Sequence, residues 1–170
     1  MIRNISIVGI LLIALFQTGC KKEQNFVPGQ VLFGLYDNVS FRNGYSLFNQ
    51  LDLEIRTLYD FQYELKTVED SVDTIQAILD SKPYLTSGNR TSSANYFDST
   101  IVVSANFFDM NDDNASDWFH TIDYLGLTEN LTRNSFKWGS LNVPVGQERF
   151  WVDQLKRFDI ISSAQLNSYL

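Results

Sequence analysis

Cysteine and histidine are almost missing from this 170-residue chain, which holds one of each. A lone cysteine leaves no partner for an internal disulfide, so the fold has to be held by packing alone. A lone histidine rules out metal sites built from several imidazoles, and any serine–histidine–acid triad would have to use His120. No G-x-S-x-G elbow, phosphate-cradling glycine loop or dinucleotide fingerprint occurs either. Basic side chains are outnumbered, 13 against 20 acidic ones, which argues against nucleic acid as a partner because no basic stripe is available to neutralise phosphates. What is plentiful is aromatic: 13 Phe, 8 Tyr and 3 Trp.

The one long apolar run, Ile5 to Phe16, is uncharged but too short for a permanent membrane-spanning helix of about 20 residues. With Arg3 before it and small residues after it, it has the layout of a signal peptide. The sequence Thr18-Gly19-Cys20 then resembles a bacterial lipoprotein signal of the looser Bacteroidetes type, with Gln17 where the family usually has Leu. The resemblance implies cleavage before Cys20 and lipidation of its thiol, in a modification that carries more than one acyl chain, which is enough for firm anchoring. The expected organisation is a signal peptide over residues 1–19, a polar tether over 20–30 and an α+β domain over 31–170, divisible into halves of about 31–90 and 100–170. The expected location is the cell envelope of a Gram-negative bacterium, anchored to the outer or inner membrane. Without residues 1–19, and with them Arg3, 12 basic side chains face 20 acidic ones.

Along the domain, "VLFGLY" (31–36) reads as a covered strand, and Phe48, Leu51, Ile55 and Leu58 follow helical spacing from a capping Ser46. Residues 58–66 alternate, with Tyr59, Phe61, Tyr63 and Leu65 on one face and Asp60, Gln62, Glu64 and Lys66 on the other, which predicts a strand wet on one side. Helices are expected at 69–82, 115–127 and 147–159, strands at 100–108 and 160–167, an extended segment at 136–146 and a loop or hairpin tip at 86–99. The half-polar strands disfavour a doubly wound parallel sheet and favour helices on one face of a largely antiparallel one.

The stretches "VPGQVLFGL" (27–35) and "VPVGQERFWVDQLKRFDIISSAQLN" (143–167) resemble the first strand, and then the strand, second helix and last strand, of subtilisin-type propeptides and their inhibitor relatives. Glu148, Trp151, Leu155, Ile161, Ala164 and Asn167 fill the comparable places. The resemblance implies a two-layer ferredoxin-like sandwich, here duplicated or enlarged, since some 70 residues between Lys66 and Phe136 exceed one such module. It also implies a non-catalytic protein-binding module of inhibitor or chaperone type, with the open sheet face as its contact surface.

Two side-chain groups invite a chemical reading. The run "DMNDDNASD" (109–117) places Asp109, Asn111, Asp113 and Asp117 at calcium-loop spacing, but His120 stands where a bidentate Glu should close the site. Capping of the following helix by Asn114 or Ser116, with the acids favouring its positive end, explains the same residues and is the preferred reading. Trp118 and Trp151 align with helical apolar stripes, whereas Trp138 stands out of phase with Leu141, Val143 and Val145. Either Gly139 makes a bulge or Trp138 stands on an outer face, where it would serve a glycan- or small-ligand-binding alternative. No cofactor is expected, no enzyme activity is read, and Cys20 is the residue with the clearest role.

Overall fold

The computed structural model describes residues 25–85, 92–132 and 136–168. Cys20, the segment before it and the first part of the expected 86–99 loop or hairpin tip lie outside these residues. The described chain is an α+β fold: seven strands form one antiparallel sheet, and four helices accompany it. β1 (Phe26–Leu35) leads through α1 (Phe41–Gln50) to β2 (Glu54–Lys66). A short turn of 3-10 helix and α2 (Val72–Asp80) precede the hairpin of β3 (Ser93–Phe97) and β4 (Thr100–Met110). α3 (Asp112–Leu125) and the two-residue β5 (Thr128–Glu129) follow, and β6 (Trp138–Asn142), α4 (Glu148–Leu155) and β7 (Ile161–Ser168) complete the order.

In space the strands run β3-β4-β2-β6-β1-β7, every neighbouring pair antiparallel. β5 and β6 share one lane beside the long β2: β5 pairs with Tyr63 and Glu64, and β6 with Glu54 to Tyr59. Asn130 N–H extends the β5 ladder to Gln62 O, after which the chain leaves the lane and rejoins it at Trp138.

All four helices feed one core. Phe41 and Phe48 of α1, Ile75 and Leu79 of α2, Ala115 and Trp118 of α3, and Val152 and Leu155 of α4 pack with Val31, Phe33, Phe61, Val103, Phe107 and Leu141 of the strands. Every second residue of β4 from Ile101 to Phe107 is buried, as the period-2 pattern predicts. Phe41, Phe61, Phe107 and Trp118 form a chain of tilted and edge-on rings, and the Trp118 indole N–H donates to Tyr63 Oη at 3.0 Å.

Several expectations change. The first helix is capped six residues earlier than Ser46: Ser40 Oγ accepts Asn43 N–H, and the helix ends at Gln50. Left-handed Asp52 (φ 55°) turns the chain into β2, so Ile55 and Leu58 are strand residues. β1 opens at Phe26, inside the stretch read as tether. Residues 93–97, read as loop, pair as an edge strand through a two-residue turn in which Asp98 and Ser99 both have positive φ.

Candidate functional site: the helix-free face of the sheet

Alternation decides what the second face of the sheet carries. In β6 the register against β1 runs unbroken from Gln30↔Asn142 to Gly34↔Trp138, so Gly139 makes no bulge. Lys137, Gly139 and Leu141 face the helices, and Trp138 and Ser140 face away. Gly139 is forced by this arrangement, since a Cβ there would lie 2.1 Å from Thr57 O and 2.8 Å from the Phe33 ring. Trp138 therefore stands on the helix-free face.

Tyr59 joins it for a reason that parity counting misses. Tyr59 and Asp60 together oppose Asn106, a bulge in which Asp60 is left-handed (φ 69°) and its N–H donates to Asn106 Oδ1 at 3.0 Å. The extra residue resets the phase, so Phe61, Tyr63 and Leu65 face the core while Tyr59 does not. Tyr59 instead packs its ring 4.2 Å from that of Trp138 and 5.8 Å from Phe108. Neither Tyr59 nor Phe108 belongs to the main core, so these three rings form a second, smaller aromatic cluster. Beside it, Thr57 Oγ1 and Ser140 Oγ share a hydrogen bond of 2.7 Å.

Around the cluster this face is neutral and hydrogen-bonding, with Gln30, Ser104, Asn106, Ser163 and Gln165 on neighbouring strands. Asn167 donates to Gln30 at 2.8 Å. Charged side chains of β2 stand toward its ends, where Glu64 accepts from Asn130 and Glu54 from Asn142, and also mid-strand, where Arg56 and the bulged Asp60 are exposed. Phe136 is 63% exposed and lies over Gly34, and Phe97 is 71% exposed at the β3 edge. Aromatic rings with few charges are the composition of the centre of a protein contact surface. A ring surrounded by amide and hydroxyl side chains also suits a sugar.

The calcium-spaced residues do not make a loop. Asn111 caps α3 by accepting Asn114 N–H, Asn114 Nδ2 donates to Asp109 O, and Asp113 and Asp117 lie within the helix. Asp117 accepts from Tyr84 Oη at 2.6 Å and from Lys82 Nζ at 2.9 Å, and these bonds hold its carboxyl below the usual aspartate range. The cap is thus Asn111 rather than Asn114 or Ser116. Among the described residues, no three of His, Cys, Asp and Glu converge to hold a metal. His120 is exposed on α3, Trp118 is fully buried, and Trp151 is half-buried against the core.

At the end of the sheet where β2 begins and β4 and β6 finish, an open cleft of about 320 Å³ is lined by Glu54, Ile55, Asp109, Met110, Asn111 and Asn142. A smaller neighbour of about 170 Å³ adds Tyr45, Asp52 and Asp112, and here Tyr45 Oη donates to Asp112 at 2.5 Å. Sequence reasoning missed one further group, Lys137 with Glu129, because a lysine in a strand is ordinarily counted as exposed. No family model, curated protein or solved structure matches the chain.

Proposed function

We propose that the chain is a lipid-anchored envelope protein whose domain is a non-catalytic protein-binding module, of the inhibitor or chaperone kind, presenting the helix-free face of its sheet. The observation that carries this reading is the cluster of Tyr59, Trp138 and Phe108, set outside the main core on the one face without helices. Such a face has one half-exposed ring at its centre, Trp138, backed by the buried Tyr59 (5% exposed) and Phe108 (8% exposed), with hydrogen-bonding side chains around it.

In this reading β1-α1-β2 and β6-α4-β7 constitute a ferredoxin-like unit. Its support is the order β7-β1-β6-β2, antiparallel throughout, with one helix after each of β1 and β6. The enlargement is an insertion between β2 and β6, which adds α2, β3, β4, α3 and β5, rather than a duplication. The propeptide resemblance of 27–35 and 143–167 falls on strands and a helix of that unit. Anchoring through Cys20 adds the address: the outer or inner membrane of a Gram-negative envelope.

A photo-crosslinking side chain at Val102, which faces away from the core on β4, tests the contact surface in the native envelope. One protein partner should be captured at position 102 and not from Asp80 on α2, and Trp138→Ala should reduce capture at least tenfold. Capture that is equal at both positions would sink the reading. Trp138 also favours a second function, glycan binding, because its ring is the one indole on the neutral face. A glycan array that responds to the protein and is silenced by Trp138→Ala would select that reading instead.

A further inference from the structure

The end of the sheet where the chain joins the fold carries apolar side chains that the core does not use. Val145 is 73% exposed and Phe150 53% exposed, and Pro28 and Pro144 are exposed between them. They are held together by main-chain links. Val143 N–H donates to Gly29 O, the Val145 methyl lies against Gly29, and the buried Glu148 carboxylate accepts N–H groups from both Gly29 (2.7 Å) and Gly146 (3.0 Å). Phe150 follows on the first turn of α4, with its ring against Trp151 and the exposed Arg149 beside it in sequence.

We propose that this tip, with Val145 and Phe150 at its point, rests in the headgroup layer of a neutral phospholipid bilayer. The inference rests on the anchor at Cys20, and tether length is what selects the occupant. Five residues, 21–25, separate the lipidated position from Phe26, and the six Cα steps across them reach at most about 20 Å. Whatever orientation the domain takes, the Phe26 end is therefore the end held against the membrane. Exposed Phe and Val there bury apolar surface at the headgroup boundary, and Arg149 suits the phosphate level. The lipid is neutral because the same end carries Glu54, Asp52, Asp109 and Asp112 around the two clefts, which an anionic surface would repel. Resting on this end sets the strands steeply to the membrane and turns the Trp138 face sideways, free for a partner.

Two forms of the mature protein separate this contact from the anchor it rests on. Intact mass of the native protein reads acyl groups on Cys20. A Cys20→Ser form, tethered by an amino-terminal hexahistidine to nickel-chelating lipid in phosphatidylcholine vesicles, has no native thiol. Val145→Cys or Ser99→Cys then supplies a unique one, at the tip or at the opposite end of the sheet, for an environment-sensitive fluorophore. Nitroxide-labelled lipid should quench position 145 at least threefold more than position 99, and both Phe150→Ser and added phosphatidylglycerol should reduce the difference. Equal quenching at the two positions overturns the contact and leaves the anchor standing. Absence of acyl groups overturns the anchor and leaves the vesicle result to be judged alone.

Discussion

Lys137 Nζ lies 3.4 Å from the Glu129 carboxylate, and the two residues stand at the points where the chain leaves and rejoins the lane beside β2. The ammonium is fully buried and spends its three donors on Glu129, Asp37 O (3.0 Å) and Val39 O (2.7 Å). Glu129 in turn accepts Phe41 N–H, the first amide of α1. Burial pushes the Lys137 ammonium below and the Glu129 carboxyl above its ordinary range, and their mutual attraction opposes both changes. One pair thus fastens β5, β6, the loop after β1 and the start of α1.

Removing one partner alone should leave a buried charge without compensation. Lys137→Met is expected to cost about 3–5 kcal/mol of unfolding free energy in urea. Glu129→Gln, which keeps an oxygen for Phe41 N–H, should cost less than Glu129→Leu. The double variant Lys137→Met/Glu129→Leu should cost less than the sum of the two singles, because no charge is stranded.

Glu148 supplies the clearest pH dependence. Burial would raise its carboxyl, but the N–H groups of Gly29, Gly146 and its own backbone more than offset this and hold it below its unfolded value of 4.5. A group depressed in the folded state contributes stability that is present above the unfolded value and lost as pH falls through the folded one. Thermal midpoints should therefore fall on acidification below about pH 4.5, and Asp117, also depressed, adds to the loss. Glu148→Gln should flatten that slope, and a slope unchanged by the substitution would show that other carboxyls dominate.

Gly139→Ala tests the packing under the aromatic cluster. The added methyl meets Thr57 O, a backbone atom that cannot rotate away. A loss of about 3 kcal/mol is expected, read as a lower melting temperature or as insoluble protein. Gly146→Ala is the comparison: nothing lies within 4 Å of its Cβ, so only the strain of its positive φ (88°) should register.

Tyr63→Phe should strand the Trp118 indole N–H in the core, at a cost of about 1–3 kcal/mol. Trp118→Phe loses more, because it also opens space among Phe107 and Tyr63. A double-mutant cycle on the two should give a coupling of about 1 kcal/mol.

The helices and strands that carry unbroken periodicity were readable from the sequence. Ile101, Val103, Ala105 and Phe107 alternate over β4, and Gly126 ends α3 in a left-handed cap (φ 69°), close to the end of the expected 115–127 helix. The site was less readable because its position depends on departures from that periodicity. Asp60 is an unremarkable acid until the backbone places it at positive φ, and that single residue moves Tyr59 from the core face to the other. Trp138 was ambiguous because its inward neighbour is Lys137, whose burial depends on Glu129 and two carbonyls distant in sequence. Ser46 lost the cap to Ser40 because Phe41, not only Phe48, had to reach the core.

The shared lane of β5 and β6 gives the chain a place to vary. Ladder pairing with β2 resumes after the gap in the same direction, so residues added between Asn130 and Phe136 lengthen neither β5 nor β6. Doubling such a connection costs only about 0.6 kcal/mol of closure entropy. This sheet can therefore host a foreign recognition peptide at that gap, beside Trp138, while the fastening beneath it keeps both flanks in register.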